Sequence, residues 1–387
     1  MRVSRRLRTV ASRAKEDDMN GTEQIDTVII GGGQAGLSVG YYLSRRGIPF
    51  VILDANPRIG DAWRNRWDSL RLFTPARYNG LAGMRFPAKG DTFPTKDAMA
   101  DFLEAYATAF DLPVRNGVSV DSLSRRDDRF VVTAGGDRFE ADNVVVAMSN
   151  YQTPRVPPFA HELAPSINQF HSSAYRAPAQ LKDGGVLIVG AGNSASELAI
   201  EIARAHPTWM AGKESGHVPF RIETFVARHV LLRLVRFVGQ HVLSVGTPLG
   251  RKVRPKMLPK AGPLVRVKPK DLIAAGIERV GRVTGVRSGL PVLDDGRALE
   301  VGNVVWCTGY NPGFSWIDLP VFGEDGEPMH HSGIVDSQPG LYFVGLFFLH
   351  SMTSDTVTGV RRDAKRIARA IISRSSRGAR DRERAAH

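Results

Sequence analysis

The chain has 387 residues, of which 42% are hydrophobic and 24% charged, with a formal net charge of +13. This length is enough for two or three domains around a sizeable core, and the composition excludes a fibrous or wholly disordered chain. The single cysteine, Cys307, excludes an intramolecular disulfide and a CxxC redox pair, and fits a reducing, cytoplasmic compartment.

Residues 1–23 read as a basic, disordered extension, opening MRVSRRLRTVASRAK without apolar periodicity. SRRLR at 4–8 has the form of a twin-arginine start, but no apolar h-region follows, so no export signal is expected. Met19 stands just before the first foldable segment, and residues 1–18 are expected to be dispensable. DTVII, 26–30, is an apolar run suited to a buried parallel strand. It leads into Gly31-Gly32-Gly33-Gln34-Ala35-Gly36, a G-x-G-x-x-G turn, and then a helix. Gly31 permits the turn, Gly33 lets a pyrophosphate approach the backbone, and Gly36 lets helix and strand pack closely. The helix N-terminus then offers free N–H groups to phosphate. A second strand, PFVILDA, ends in Asp54, placed for a ribose hydroxyl. VSVDSLSRRDDRFVVTAGGDRFEADNVVVA reads as a β-meander, with Val120 expected to lend backbone groups to an adenine. TPRVPPFA, 153–160, reads as a crossing linker.

A second strand–turn–helix follows. VLIV runs into Gly190-Ala191-Gly192-Asn193-Ser194-Ala195, with alanine as the allowed third residue. The strand after it, HPTWMAG, has no acid at its end. Lys213 stands there instead, either meeting a 2′-phosphate, which favours NADP, or lying on the surface. HVLLRLVRFVGQHVLSVG, 229–246, is broken by Arg233 and Arg236, so it is no transmembrane span. It is either an amphipathic helix packed on the body or on a second subunit, or a membrane-surface or substrate-entry element. RKVRPKMLPKAGPLVRVKPK, 251–270, contains no acid. It is read as a solvated face or a positive approach for an anionic cofactor, with no nucleic acid expected because no nucleic-acid motif accompanies the charge. NVVWCTG, 303–309, is a further strand and turn. Residues 374–387 read as a disordered basic tail.

Two loops imply two dinucleotides, most simply a bound flavin (FAD) and a nicotinamide cofactor. The expected fold is α/β and glutathione-reductase-like: two Rossmann-like dinucleotide-binding domains, the NAD(P) domain (156–302) inserted into an FAD domain (24–155 and 303–373).

Over residues 25–372 the sequence resembles the class B flavin-dependent monooxygenases, the flavin-containing and YUCCA-type enzymes. GDAWRNRWDSLRLFTP, 60–75, is similar to the family's segment after the ribose acid. There Gly60 and Trp63 would approach the flavin, with Arg71 in the same segment. HSSAYR, 171–176, resembles the second half of the family motif, although Pro165 and Ile167 replace its F-x-G opening. CTGYNP resembles the T-G-Y element and carries over Thr308 and Gly309. GLYFVGL followed by DTVTGVRRDAKRIARAI resembles the closing strand and helix, with Thr358 and Gly359 at a helix start facing the flavin ring. Departures at Ala147-Met148-Ser149 and at Tyr175 blur the subfamily.

The resemblance implies FAD in the first loop, with Gln34 and Ala35 among its contacts, and NADPH in the second. It implies a monooxygenase that forms a C4a-(hydro)peroxyflavin and oxygenates a small organic substrate with O2. The reaction would be N/S-oxygenation or oxidative decarboxylation of a 2-oxo acid. No acid–base triad is required. A homodimer is allowed. Alternatives are a flavin reductase serving a quinone or protein acceptor and a non-catalytic redox sensor. On the residues alone, His171 orients cofactor or bonds across the domain seam, Arg176 meets a phosphate or a surface acid, and Trp67 packs in a core or near the flavin. Cys307 reads as a small buried hydrophobe.

Overall fold

The computed structural model describes residues 21–214, 216–258 and 262–385, with side chains to Arg377. Strand β1, Thr22–Ile30, enters the first glycine turn and leads to α1, Gln34–Ser44, and β2, Phe50–Asp54. A long helix, α2, Lys96–Ala109, precedes β3, Val114–Asn116. The expected meander is β4, Ser122–Arg126, β5, Arg129–Ala134, and β6, Asp137–Val146. These strands form a seven-stranded sheet of order β3-β2-β1-β6-β5-β4. The seventh strand, Leu341–Phe343, returns from the far end of the chain to pair parallel with the last residues of β6. All five residues of β2 are buried, as in a parallel strand covered on both faces.

The second sheet is all parallel and comes from the middle of the chain. Its strands are β7, Asn168–His171, β8, Val186–Val189, β9, Thr208–Ala211, β10, Glu278–Val280, and β11, Asn303–Trp306, in the order β10-β9-β8-β11-β7. Helix α3, Asn193–Ile202, follows β8. The returning strand Leu341–Phe343 is therefore β12. Thr153–Pro154 pairs antiparallel with Tyr310–Asn311 where the chain crosses between the sheets in each direction. The fold is two dinucleotide-binding domains, one threaded into the other.

Three boundaries differ from the sequence reading. Asn303–Trp306, placed at the start of the returning FAD segment, is the strand between β8 and β7 in the second sheet. Its four residues are all buried, and a run of V-V-W carries no sign of which sheet will cover it. At the front, β1 begins inside the expected disordered extension, because Thr22 and Glu23 register with Arg138 and Phe139 of β6; residues 1–20 lie outside the described residues. At the back, the final helix, α4, Val357–Ala385, runs on through most of the expected disordered tail. Ala364, Ile367, Ala368 and Ile371 anchor it in the core, and Ser375 Oγ donates to Asp26 Oδ2 at 3.0 Å. Extending a formed helix by further turns is far easier than nucleating one.

Candidate dinucleotide sites and the domain seam

The two glycine turns share one local geometry. Gly31 and Gly190 have φ of 110° and 132°, where a side chain is strained. Each donates its N–H to the end of the neighbouring strand, Gly31 to Leu53 O at 2.8 Å and Gly190 to Ala211 O at 2.7 Å. A Cβ on Gly31 would lie 3.0 Å from the Ala147 carbonyl carbon, and one on Gly190 would lie 2.3 Å from Cys307 O. Gly33 and Gly192 cap α1 and α3 in extended conformations, at φ −77° and −82°. A Cβ on either would meet no protein atom within 4 Å. These caps border the free N–H groups of the helix ends, a cradle that fits a pyrophosphate. A Cβ on Gly36 would lie 1.9 Å from Gly31 O, so helix and strand are in contact there, whereas Ala195 is accommodated and fully buried. Ser194 is half-buried in the first turn of α3.

The ends of the second strands differ. Buried Asp54 accepts from Gly32 N–H at 2.5 Å with one oxygen, and from the Asn56 N–H and side-chain amide at 2.8 Å with the other. The carboxylate is thus held beside the loop it would serve. β9 itself ends without an acid, and the first acid after it, Glu214, follows Lys213 and acts on Arg279. Lys213 is exposed there, and the preceding Gly212 accepts from Arg279 Nη2 at 2.7 Å. Burial lowers the Arg279 pKa from its ordinary value. No local signal in the sequence marks Arg279, which β10 brings beside Lys213 across 66 residues. Asn193 is also more than a loop residue. Its amide donates to Pro263 O at 3.0 Å and accepts from Val265 N–H at 2.8 Å, tying the second loop to the segment before Arg266.

The remaining site residues fall in two groups. Gly60, with φ of 89°, caps the short helix Asp61–Arg64, and a Cβ on it would lie 2.6 Å from Ala100 O. That turn sets Trp63, whose indole N–H donates to Gln34 Oε1 at 3.3 Å, above the first residue of α1. Ala35 is buried behind it. Thr358 and Gly359 lie in the first turn of α4, and a Cβ on Gly359 would sit 1.9 Å from Thr353 O. Val120 is half-buried against the first-domain core, after Val118, whose N–H donates to Asp54 O at 2.9 Å. Arg71 stands apart. It is exposed, and its guanidinium donates to Phe93 O at 3.2 Å rather than toward either glycine loop.

The seam between domains is a linked cluster. Arg155 donates twice to Thr308 O, at 2.9 and 2.7 Å, and its N–H bonds Gly309 O at 3.0 Å. His171 bonds Gly309 O through Nε2 at 3.0 Å, while its Nδ1 accepts from Ser173 N–H at 3.1 Å. A carbonyl can only accept and an amide N–H can only donate, so this pattern requires the neutral Nε2–H tautomer. Burial lowers the His171 pKa in the same sense. Its ring meets Tyr310 edge-on, Arg66 donates to Tyr310 Oη at 3.1 Å, and Tyr151 donates to Asp355 at 3.4 Å. Burial pushes the Asp355 carboxyl up to about 6. Arg176 turns to the backbone oxygens of Ser173 and Tyr175, not to a phosphate loop. Trp67, from the first domain's segment, is buried in the second domain's core with Tyr175, Leu198 and Val267. Burial pushes the Cys307 thiol up to about 12, so it is not a nucleophile at neutral pH.

Residues 28–215 match the pyridine nucleotide-disulphide oxidoreductase family. The chain is 35% identical over 352 residues to an uncharacterized CzcO-like oxidoreductase of Geobacillus kaustophilus, covering 90% of this chain and 99% of that one. It is 28% identical over 394 residues to the indole-3-pyruvate monooxygenase YUCCA1 of Oryza sativa subsp. japonica, covering 89% of this chain and 90% of that one. Its fold matches a flavin-containing monooxygenase from Stenotrophomonas maltophilia with a TM-score of 0.71 at 27% identity, covering 91% of this chain and 99% of that one.

Proposed function

Because the chain belongs to the class B flavin-dependent monooxygenase family, beside the CzcO-like oxidoreductases, we propose that it binds FAD in its first glycine loop and NADPH in its second and uses O2 to oxygenate a small organic molecule. The observation that carries this reading is the pair of matching turns with unlike second-strand ends. A buried carboxylate, Asp54, suits a ribose hydroxyl, and the cations Lys213 and Arg279 suit a 2′-phosphate. The flavin, when bound, supplies hydride acceptance and oxygen activation.

The chain's own residues bind, orient and exclude water. Gly33 and the α1 N-terminus hold one pyrophosphate, and Gly192 and the α3 N-terminus hold the other. Trp63, fixed by Gln34, and the α4 start at Thr358 and Gly359 border the space beside α1. Residues 240–245 close over the α4 start: Gln240 Nε2 donates to Thr358 O at 2.8 Å, and Met352 N–H to Leu243 O at 2.9 Å. That covering strap suits a site from which water must be kept. The likeness to an indole-3-pyruvate monooxygenase makes a 2-oxo acid one substrate class to test, with amines and sulfides as the other.

The test is anaerobic reduction of the FAD-loaded protein by NADPH, followed by mixing with 18O-labelled O2 in the presence of each substrate class. Label in the product, with little free hydrogen peroxide, is the expected result. Rapid reoxidation that releases one peroxide per NADPH, with no labelled product from any class, would instead assign a reductase or oxidase.

A further inference from the structure

We propose that the segment from Phe225 to Leu258 docks the protein on an anionic lipid bilayer surface. Residues 227–242 form one helical run, two π-turns flanking an α-helical Leu232–Phe237. Its inner side is fixed. Ala227, Gly239 and Gln240 are buried, and Val245 N–H bonds His350 O at 2.8 Å. Its outer side carries Val226, Val230, Leu234 and Phe237, spaced by four, four and three residues and each 56–57% exposed, with Phe225 beside them at 75%. This is a stripe of large apolar side chains along one helix face, among the most exposed large hydrophobic residues described.

The charge around the stripe identifies what it meets. Residues 224–270 contain eleven Lys and Arg and no Asp or Glu. Some of these cations are committed within the protein: Arg228 lies 3.8 Å from Asp91, and Arg266 faces Glu197 and Glu223. Arg233, Arg251, Lys252 and Lys256 are exposed on the helical run and on the helix Pro248–Met257 that follows. An apolar stripe rimmed by cations is the arrangement that lies in a membrane interface, the apolar side chains entering the acyl boundary and the cations meeting anionic headgroups. A second copy of this chain does not fit as well. A two-fold contact would set these cations against their own kind with no acid in the segment to answer them. The proposal is independent of the reaction assigned above.

The experiment is co-sedimentation of the FAD-loaded protein with phosphatidylcholine vesicles, with and without phosphatidylglycerol, alongside its size in solution by light scattering. Binding to the phosphatidylglycerol vesicles alone, released by high salt, is expected. Arg233→Gln and Lys252→Gln should each weaken it roughly fivefold. Leu234→Ser with Phe237→Ser should weaken it roughly tenfold or more. All four positions are exposed, so FAD content and thermal midpoint should stay at the wild-type values, which separates loss of docking from loss of fold. Absence of binding to anionic vesicles would overturn the proposal, as would equal binding to both vesicle types. So would a dimer that Leu234→Ser dissociates without any change in vesicle binding.

Discussion

Two glycines three residues apart in the first loop should respond to alanine in opposite ways. At Gly33 the backbone is extended, at φ −77° and ψ −171°, so alanine adds no backbone strain, and its Cβ would meet no protein atom within 4 Å. Gly33→Ala should therefore change the stability of the apoprotein by less than about 0.5 kcal/mol. The added methyl fills the space through which a pyrophosphate reaches the N–H groups of α1. Losing one charge-assisted hydrogen bond costs about 2 kcal/mol, which is roughly a 30-fold rise in the FAD dissociation constant. At Gly36 the added Cβ would lie 1.9 Å from Gly31 O, a backbone atom that cannot rotate away. Helix α1 would have to leave the strand, at a cost of about 3 kcal/mol or more. The thermal midpoint of the apoprotein should then fall by roughly 5–10 °C. Apoprotein melting curves and FAD titration by flavin fluorescence measure the two effects separately. A Gly33→Ala protein that binds FAD as the wild type does would refute the pyrophosphate assignment, and a Gly36→Ala protein of undiminished stability would refute the packing argument.

Other substitutions test the second site and the buried ionisable groups. Lys213→Ala and Arg279→Ala should each raise the KM for NADPH roughly tenfold and leave that for NADH nearly unchanged; equal effects on both cofactors would remove the 2′-phosphate role. Glu197, on α3, is held up to about 7 by burial, with Arg266 opposing and Glu223 adding to the rise. Since its ordinary pKa is 4.5, ionisation in the folded state is penalised above that value, and the penalty is complete above about 7. Glu197→Gln should therefore raise the melting temperature at pH 8 and much less at pH 5, and a larger gain at pH 5 would reverse the argument. His350 lies between the Ser244 and Ser332 hydroxyls, and burial together with Arg366 and Arg362 lowers its pKa to about 4. A depressed histidine stabilises the neutral fold fully above 6.5 and loses that contribution as pH falls through about 4. Melting temperatures taken across that range should decline, and less steeply in His350→Gln; an unchanged slope would show that His350 is not the group responsible.

Periodicity and glycine spacing made both glycine turns, the acid Asp54 at the end of β2 and the strand–helix succession around them legible. G-x-G-x-x-G and G-x-G-x-x-A are local demands: a positive φ at the first glycine, an open cap at the second and a close contact at the third act within six residues. The crossing of the chain between domains near 153–160 was equally local, because prolines mark it. The extent of α4 was not legible, since residues 374–377 are polar and basic and their support, Ser375 on Asp26, comes from the opposite end of the chain.

Three further features were decided by tertiary structure alone. Asn303–Trp306 joined the second sheet because β8 and β7 were available to pair with it, and a four-residue apolar run carries no address. Arg279 came beside Lys213 only through the parallel register of β10 on β9, which aligns Ala211 with Val280. Trp67 entered the second domain's core although its neighbours in sequence belong to the first. Short-range geometry therefore determined the two glycine turns and the helix ends they cap. The seam between the two domains depends on side chains that meet from segments as far apart as Arg66 and Tyr310, where sequence spacing says nothing about distance.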